Sequence, residues 1–176
     1  MNFVIVGTNF ISDTLLAAAN TLNDFNLYGV CSRAVSSGEA FLAKHPNAQA
    51  KIFTSIEQVC QDQNVDAVYI AAPNSLHKQY AVMCLEAGKH VLGEKPSAAN
   101  SKELASIIAT AKKHQRLYME AMMTTHLPNY EQLQQAMVKI GTPRKYIGQY
   151  SQYSSRYDKY KNGVEDNVEH VLNPKK

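Results

Sequence analysis

Glu94-Lys95-Pro96 sets a carboxylate and an ammonium side by side just before a proline. Delivered to a ligand-binding edge, Lys95 polarises a substrate hydroxyl or carbonyl oxygen or passes a proton, while Glu94 holds it by charge. Taken alone, the two residues are better explained as a surface ion pair. A second cluster is Gly7-Thr8-Asn9-Phe10-Ile11-Ser12. Dinucleotide folds need a glycine for the tight turn from strand to helix, then small residues where backbone meets pyrophosphate and where helix meets strand. Asn9 and Ser12 stand where the second and third glycines would be. A left-handed backbone at Asn9 is tolerable, although its side chain adds bulk beside the phosphates. A strand–glycine–helix turn without function accounts for this cluster too.

Twenty residues beyond Ser12 lies Ser32-Arg33. An acidic residue there would bind the ribose 2′-hydroxyl of NAD, whereas a hydroxyl followed by arginine suits a 2′-phosphate. An exposed surface arginine is the plain alternative. The fourth cluster is Ala71-Ala72-Pro73-Asn74-Ser75-Leu76-His77. It reads as a ligand edge and, compatibly with that, as a helix start with Asn74 or Ser75 as N-cap and His77 in the first turn.

Such chemistry requires elements that bring these clusters to one edge. Strands are predicted at Asn2–Val6, Leu27–Cys31, Lys51–Phe53, Asp66–Ala71, His90–Leu92 and Leu117–Met122. Helices are predicted at Leu15–Leu22, Ser37–Lys44, Ile56–Gln61, Gln79–Ala87 and Lys102–Lys113. Alternation over about 120 residues implies right-handed crossovers and a parallel sheet covered on both faces. Runs such as FVIV and AVYIA lack polar alternation, as strands buried on both faces should. The fold class is therefore α/β, a doubly wound parallel sheet with its ligand edge at the carboxyl ends of the strands.

After Met122 the pattern changes. Pro128–Ile140 reads as a helix and Gly141-Thr142-Pro143 as a turn. Five of the ten tyrosines fall between Tyr146 and Tyr160. Lys145–Tyr157 is predicted as a long strand with Tyr146 and Tyr150 on one face and Tyr153 and Tyr157 on the other. Residues 1–122 thus form one domain, and 123–176 the incomplete start of a second.

Composition excludes several functions. The 176 residues are 45% hydrophobic and 19% charged, with a net charge of +3, too small and scattered for a polyanion binder. Neither nucleic acid nor membrane is expected as a partner, since no apolar run is long enough to span a bilayer. Cys31, Cys60 and Cys84 show no CxxC spacing, and the six histidines no HExxH, so no metal site is expected. No GxSxG nucleophile context occurs. The amino terminus lacks the basic stretch of a signal peptide, so a cytoplasmic protein with reduced thiols is expected.

The combination of PNSLH with AGKHVLGEKP, in this order after a glycine turn, resembles the Gfo/Idh/MocA family of oxidoreductases, and the similarity runs from Asn2 to about Tyr157. The resemblance implies an NAD(P)-binding Rossmann domain followed by an α/β substrate domain with an open sheet, through which the protein forms a homo-oligomer. It implies Lys95 as the catalytic residue, near substrate and nicotinamide. It places Gly7, Thr8, Asn9, Phe10 and Ile11 on the pyrophosphate, and Ala72, Pro73, Asn74, His77, Glu94 and Lys95 along the cofactor cleft. With Ser32 and Arg33 on the 2′-phosphate, NADP(H) is favoured and NAD(H) is the alternative. The implied activity is hydride transfer between a sugar, cyclitol or related polyol and the nicotinamide. The competing reading is a non-catalytic NAD(P)-binding or cofactor-sensing protein, or an inactive truncated relative. Thr125 stands where many relatives carry arginine, and His126 reads as a loop histidine rather than an acid–base group.

Overall fold

The computed structural model describes residues 1–45, 50–151, 153, 157–158 and 161–163. The chain divides into two units, Met1–Ala121 and Met122–Lys176. In the first, strands β1 (Asn2–Val6), β2 (Asn26–Cys31), β3 (Lys51–Phe53), β4 (Ala67–Ile70), β5 (His90–Gly93) and β6 (Tyr118–Glu120) alternate with helices α1 (Phe10–Ala19), α2 (Val35–Ala43), α3 (Ile56–Gln61), α4 (His77–Glu86) and α5 (Ser101–Lys113). The six strands are parallel in the order β3-β2-β1-β4-β5-β6. The order reverses direction between β1 and β4, which opens a crevice at their carboxyl ends.

Consecutive residues of β1 serve opposite layers. Phe3 and Ile5 pack with Leu16, Leu27, Val30, Phe41 and Tyr69, while Val4 and Val6 pack with Val59, Val68, Ile70, Cys84, Leu85 and Ile107. Val4, Ile5, Val30 and Ile70 have no exposed surface. Each such side chain contributes about 1.5–3 kcal/mol relative to exposure. The apolar runs are therefore core on both sides, and the sheet order is the doubly wound one expected.

Several helices start upstream of their predicted first residues. Helix α1 starts at Phe10, five residues before the predicted Leu15, because Asn9 is its N-cap and accepts from the Ile11 and Ser12 N–H groups. Similarly, α4 starts at His77, following a short 3₁₀ turn over Asn74–Leu76. The three cysteines are free thiols. Among the described residues no helix is long and apolar enough to cross a membrane.

In the second unit, a 3₁₀ turn over Met123–His126 precedes helix α6 (Pro128–Ile140), whose bounds are those predicted. Of the predicted strand over Lys145–Tyr157, residues 152 and 154–156 lie outside the described residues, and the rest form no strand. Residues 145–151 have no regular structure, Tyr157 is helical, and none of the described residues in that stretch lies in a strand. Tyr146, Tyr150, Tyr153 and Tyr157 are all exposed. Alternating aromatics stabilise a strand only through cross-strand and face neighbours, and no described strand pairs with this segment.

Candidate functional site

The sheet ladder continues one residue past the strands, so their loops begin side by side. The N–H of Ser32 donates to Phe53 O at 3.0 Å, Gly7 to Cys31 O at 3.0 Å, and Ala71 to Val6 O at 2.8 Å. Glu94 then donates to Ile70 O at 2.9 Å and Ala121 to Gly93 O at 2.8 Å. With strands about 4.8 Å apart, the glycine turn, Ser32-Arg33, the Ala71–His77 segment and Glu94-Lys95 share one edge of the sheet.

Gly7 has φ +102°, and a Cβ there would come within 2.5 Å of the Ala71 carbonyl oxygen. The glycine serves both a left-handed turn and the close approach of two strand ends. Asn9 is extended rather than left-handed, with φ −93° and ψ 177°. Its Oδ1 caps α1 while its Nδ2 donates to Ala71 O at 2.9 Å. The added bulk at the second glycine position is therefore a cross-tie to β4. Ser12, fully buried, donates from Oγ to Gly7 O at 2.8 Å and holds helix to turn. Thr8 and Ile11 are half-buried and Phe10 is exposed. Among the described residues the N–H groups of Thr8, Asn9 and Phe10 find no protein acceptor. Three open donors at the start of a ten-residue helix fit a pyrophosphate.

At the end of β2, Ser32 is buried and its Oγ donates to Ala34 O at 2.8 Å. The hydroxyl proton is thus engaged inside the turn, where it shapes the backbone around Arg33. Arg33 is exposed and has no ion-pair partner among the described residues. Helix α2 follows immediately, with Ala34 at its N-cap and no side-chain cap. An unpaired guanidinium beside an uncapped helix start fits a phosphate.

Pro73 and Asn74 are exposed at the edge and Ala72 is half-buried. His77 is not presented to a ligand. It is 2% exposed, and its two ring nitrogens lie 2.7 Å from Pro96 O and 2.8 Å from Ala72 O. The ring lies between two backbone carbonyls, beneath the segment to which the sequence reading assigned a cofactor contact.

Glu94 is half-buried. Its Oε1 accepts from the Tyr69 hydroxyl at 2.7 Å, and its Oε2 from the Lys95 N–H at 3.2 Å. Glu94 thus holds the backbone of Lys95, not the ammonium that the sequence reading had it hold by charge. The Lys95 side chain is exposed and makes no ion pair among the described residues. The Lys95–Pro96 peptide is cis. Beyond it, the N–H of buried Ser97 donates to Glu120 Oε1 at 2.9 Å.

Tyr69 and Glu120 escaped the sequence reading. A lone tyrosine in the aliphatic strand AVYI is the signal for Tyr69, because a buried hydroxyl needs a partner. Burial first, and then the bond to Glu94, push its hydroxyl pKa well up, so Tyr69 acts as a neutral donor. Nothing local marked Glu120, whose partner lies 23 residues away.

An open parallel sheet in this order, with a glycine turn, three open amides and a free guanidinium at the reversal of strand order, defines a dinucleotide-binding domain. The match of residues 1–122 to the model of the Gfo/Idh/MocA oxidoreductases, NAD-binding Rossmann fold, makes the relationship specific, and the chain belongs to that family. It is 45% identical over 164 residues to the scyllo-inositol 2-dehydrogenase (NADP(+)) IolU of Bacillus subtilis, covering 93% of this chain and 49% of that protein. It is 33% identical over 131 residues to the trans-1,2-dihydrobenzene-1,2-diol dehydrogenase of Xenopus laevis, covering 73% and 39%. Among solved structures, the 3-ketoreductase KijD10 of Actinomadura kijaniata, in complex with NADP, superposes with a TM-score of 0.73 at 25% identity, covering 80% of this chain and 42% of that one. The chain spans about half the length of the curated relatives it matches.

Proposed function

We propose that residues 1–122 are the NADP(H)-binding domain of a dehydrogenase that transfers hydride between a sugar, cyclitol or related polyol and the nicotinamide, and that residues 123–176 begin its substrate domain. The observation that carries the reading is the shared edge on which Gly7–Ile11, Arg33, Ala72–Asn74 and Lys95 converge. The open amides of Thr8, Asn9 and Phe10 would take the pyrophosphate. Arg33, with the uncapped start of α2, would take the 2′-phosphate and so favour NADP(H) over NAD(H); the NADP-dependent relative IolU and the NADP-bound KijD10 support this choice.

When bound, the nicotinamide supplies hydride acceptance and donation. The chain's own residues supply position and proton handling. Glu94 and the Ser97–Glu120 contact fix the backbone on both sides of Lys95, leaving the ammonium exposed at the edge. From there Lys95 would donate a hydrogen bond to the substrate oxygen and, deprotonated, accept its proton as the alcohol is oxidised.

A panel of polyols with NADP⁺, followed by the appearance of reduced nicotinamide, tests the assignment. Turnover of one member, lowered about 10²-fold in Lys95→Ala, sustains it. Cofactor binding without turnover of any member assigns the chain to non-catalytic NAD(P) binding instead. Self-association through residues 123–176 belongs to the same proposal, supported by exposed Leu133, Met137, Val138 and Ile140 on α6. A cytoplasmic location is supported by the three free thiols.

A further inference from the structure

Within its own loop Lys95 has one bond, from its N–H to Glu94 Oε2. Its neighbours are held from elsewhere in the sheet: Glu94 by Tyr69 on β4, Ser97 by Glu120 on β6, and Pro96 by His77 on α4. Of the three anchors, His77 alone also grips the adjacent loop, through Ala72 O at 2.8 Å. The imidazole therefore spans the mouths of β4 and β5, with one carbonyl at each nitrogen. Carbonyl oxygens only accept, so the ring N–H donates to one of the two and the ring packs against the other. Ala72 precedes the edge residues Pro73 and Asn74, and Pro96 follows Lys95 directly. One buried ring thus sets the distance between the lysine and the segment opposite it.

We infer that His77 is a positioning residue: by bridging Ala72 and Pro96 it fixes Lys95 relative to the nicotinamide end of the cofactor site, without touching cofactor or substrate. The inference deepens the proposed function and rests on its placement of the cofactor. Its consequence is a division of labour along the edge. The open amides and Arg33 set affinity, while the His77 bridge sets the alignment of the reacting end. Loss of the bridge should therefore spare cofactor affinity and disturb what the nicotinamide senses.

Two measurements on the full chain decide this. Amide hydrogen exchange is followed in the unliganded protein for wild type, His77→Ala and His77→Gln. Exchange at Lys95 and Ser97 should rise about tenfold or more in His77→Ala, with β1 and β4 unchanged, and by less in His77→Gln, which keeps a side-chain N–H donor. Unchanged exchange at those two amides would overturn the inference. Should His77→Ala open the whole sheet, His77→Gln decides alone by the same local criterion.

The second measurement is the emission lifetime of bound NADPH, titrated against each variant and against Lys95→Ala. His77→Ala should shift the lifetime toward the Lys95→Ala value while the Kd stays within about threefold of wild type, and His77→Gln should restore part of it. The double variant should show no further shift beyond Lys95→Ala. A wild-type lifetime in His77→Ala would overturn the positioning role. If wild type binds no NADPH, the cofactor reading falls, and the exchange data still decide whether His77 holds the lysine loop.

Discussion

The hydroxyl of Tyr69 donates to Glu94 Oε1 at 2.7 Å from a side chain that is 3% exposed. This bond joins the core of β4 to the residue preceding Lys95, and it leaves Glu94 Oε2 to accept from the Lys95 N–H. Tyr69→Phe removes only the hydroxyl and keeps the ring in its layer. The expected loss is about 1.5 kcal/mol, the low end for a bond to a charged group, because half-buried Glu94 can recover a water. Urea denaturation should show the loss as a lower midpoint at unchanged slope.

Asn9 links two elements with one side chain, capping α1 and tying it to Ala71. Asn9→Ala removes both and should cost about 1–2 kcal/mol, more than loss of an ordinary cap alone. Thermal unfolding checks the value. Asn9→Asp should retain the cap, lose the donor to Ala71 O, and fall between wild type and Asn9→Ala.

Arg33→Ala tests the cofactor preference. Charge-assisted bonds to a 2′-phosphate contribute about 1.5–3 kcal/mol, so the variant should lose roughly ten- to hundredfold in NADPH affinity with little change for NADH. Parallel titrations of both cofactors read this directly. An undiminished preference for NADPH would move the phosphate contact away from Arg33.

Asp62 gives stability a pH dependence away from the site. The Asn64 N–H, then Lys51 and Tyr28, hold its carboxyl down at about 2 against the ordinary value of 3.8. A lowered folded-state pKa means that the unfolded chain takes up the proton first as pH falls. The contribution is complete above about pH 4 and is lost between there and about pH 2. Asp62→Asn should flatten that part of the stability profile and leave the slope above pH 5 unchanged.

The sheet was legible because both of its faces are buried: FVIV and AVYIA could only be double-sided core. The glycine turn and the Glu94-Lys95-Pro96 loop were legible because local spacing fixes their place at strand ends. What the sequence hid is what depends on distant partners. Ser32 spends its proton on Ala34, His77 turns between Ala72 and Pro96, and Glu94 faces Tyr69. Residue type announced polar chemistry in each case, but only the fold decides whether a side chain meets a ligand or a neighbouring carbonyl. The tyrosine-rich segment failed for the complementary reason. Alternation specifies a strand only when something pairs with it, and none of its described residues is paired in a sheet.

The central claim is that the edge formed by Gly7–Ile11, Arg33 and Lys95 binds a phosphorylated nicotinamide dinucleotide. Calorimetric titration of the folded chain with NADPH and with NADH tests it most directly. One saturable site per chain, tighter for NADPH, is the predicted result. Heats of dilution alone for both cofactors, from protein whose circular dichroism shows an intact α/β fold, would contradict the account.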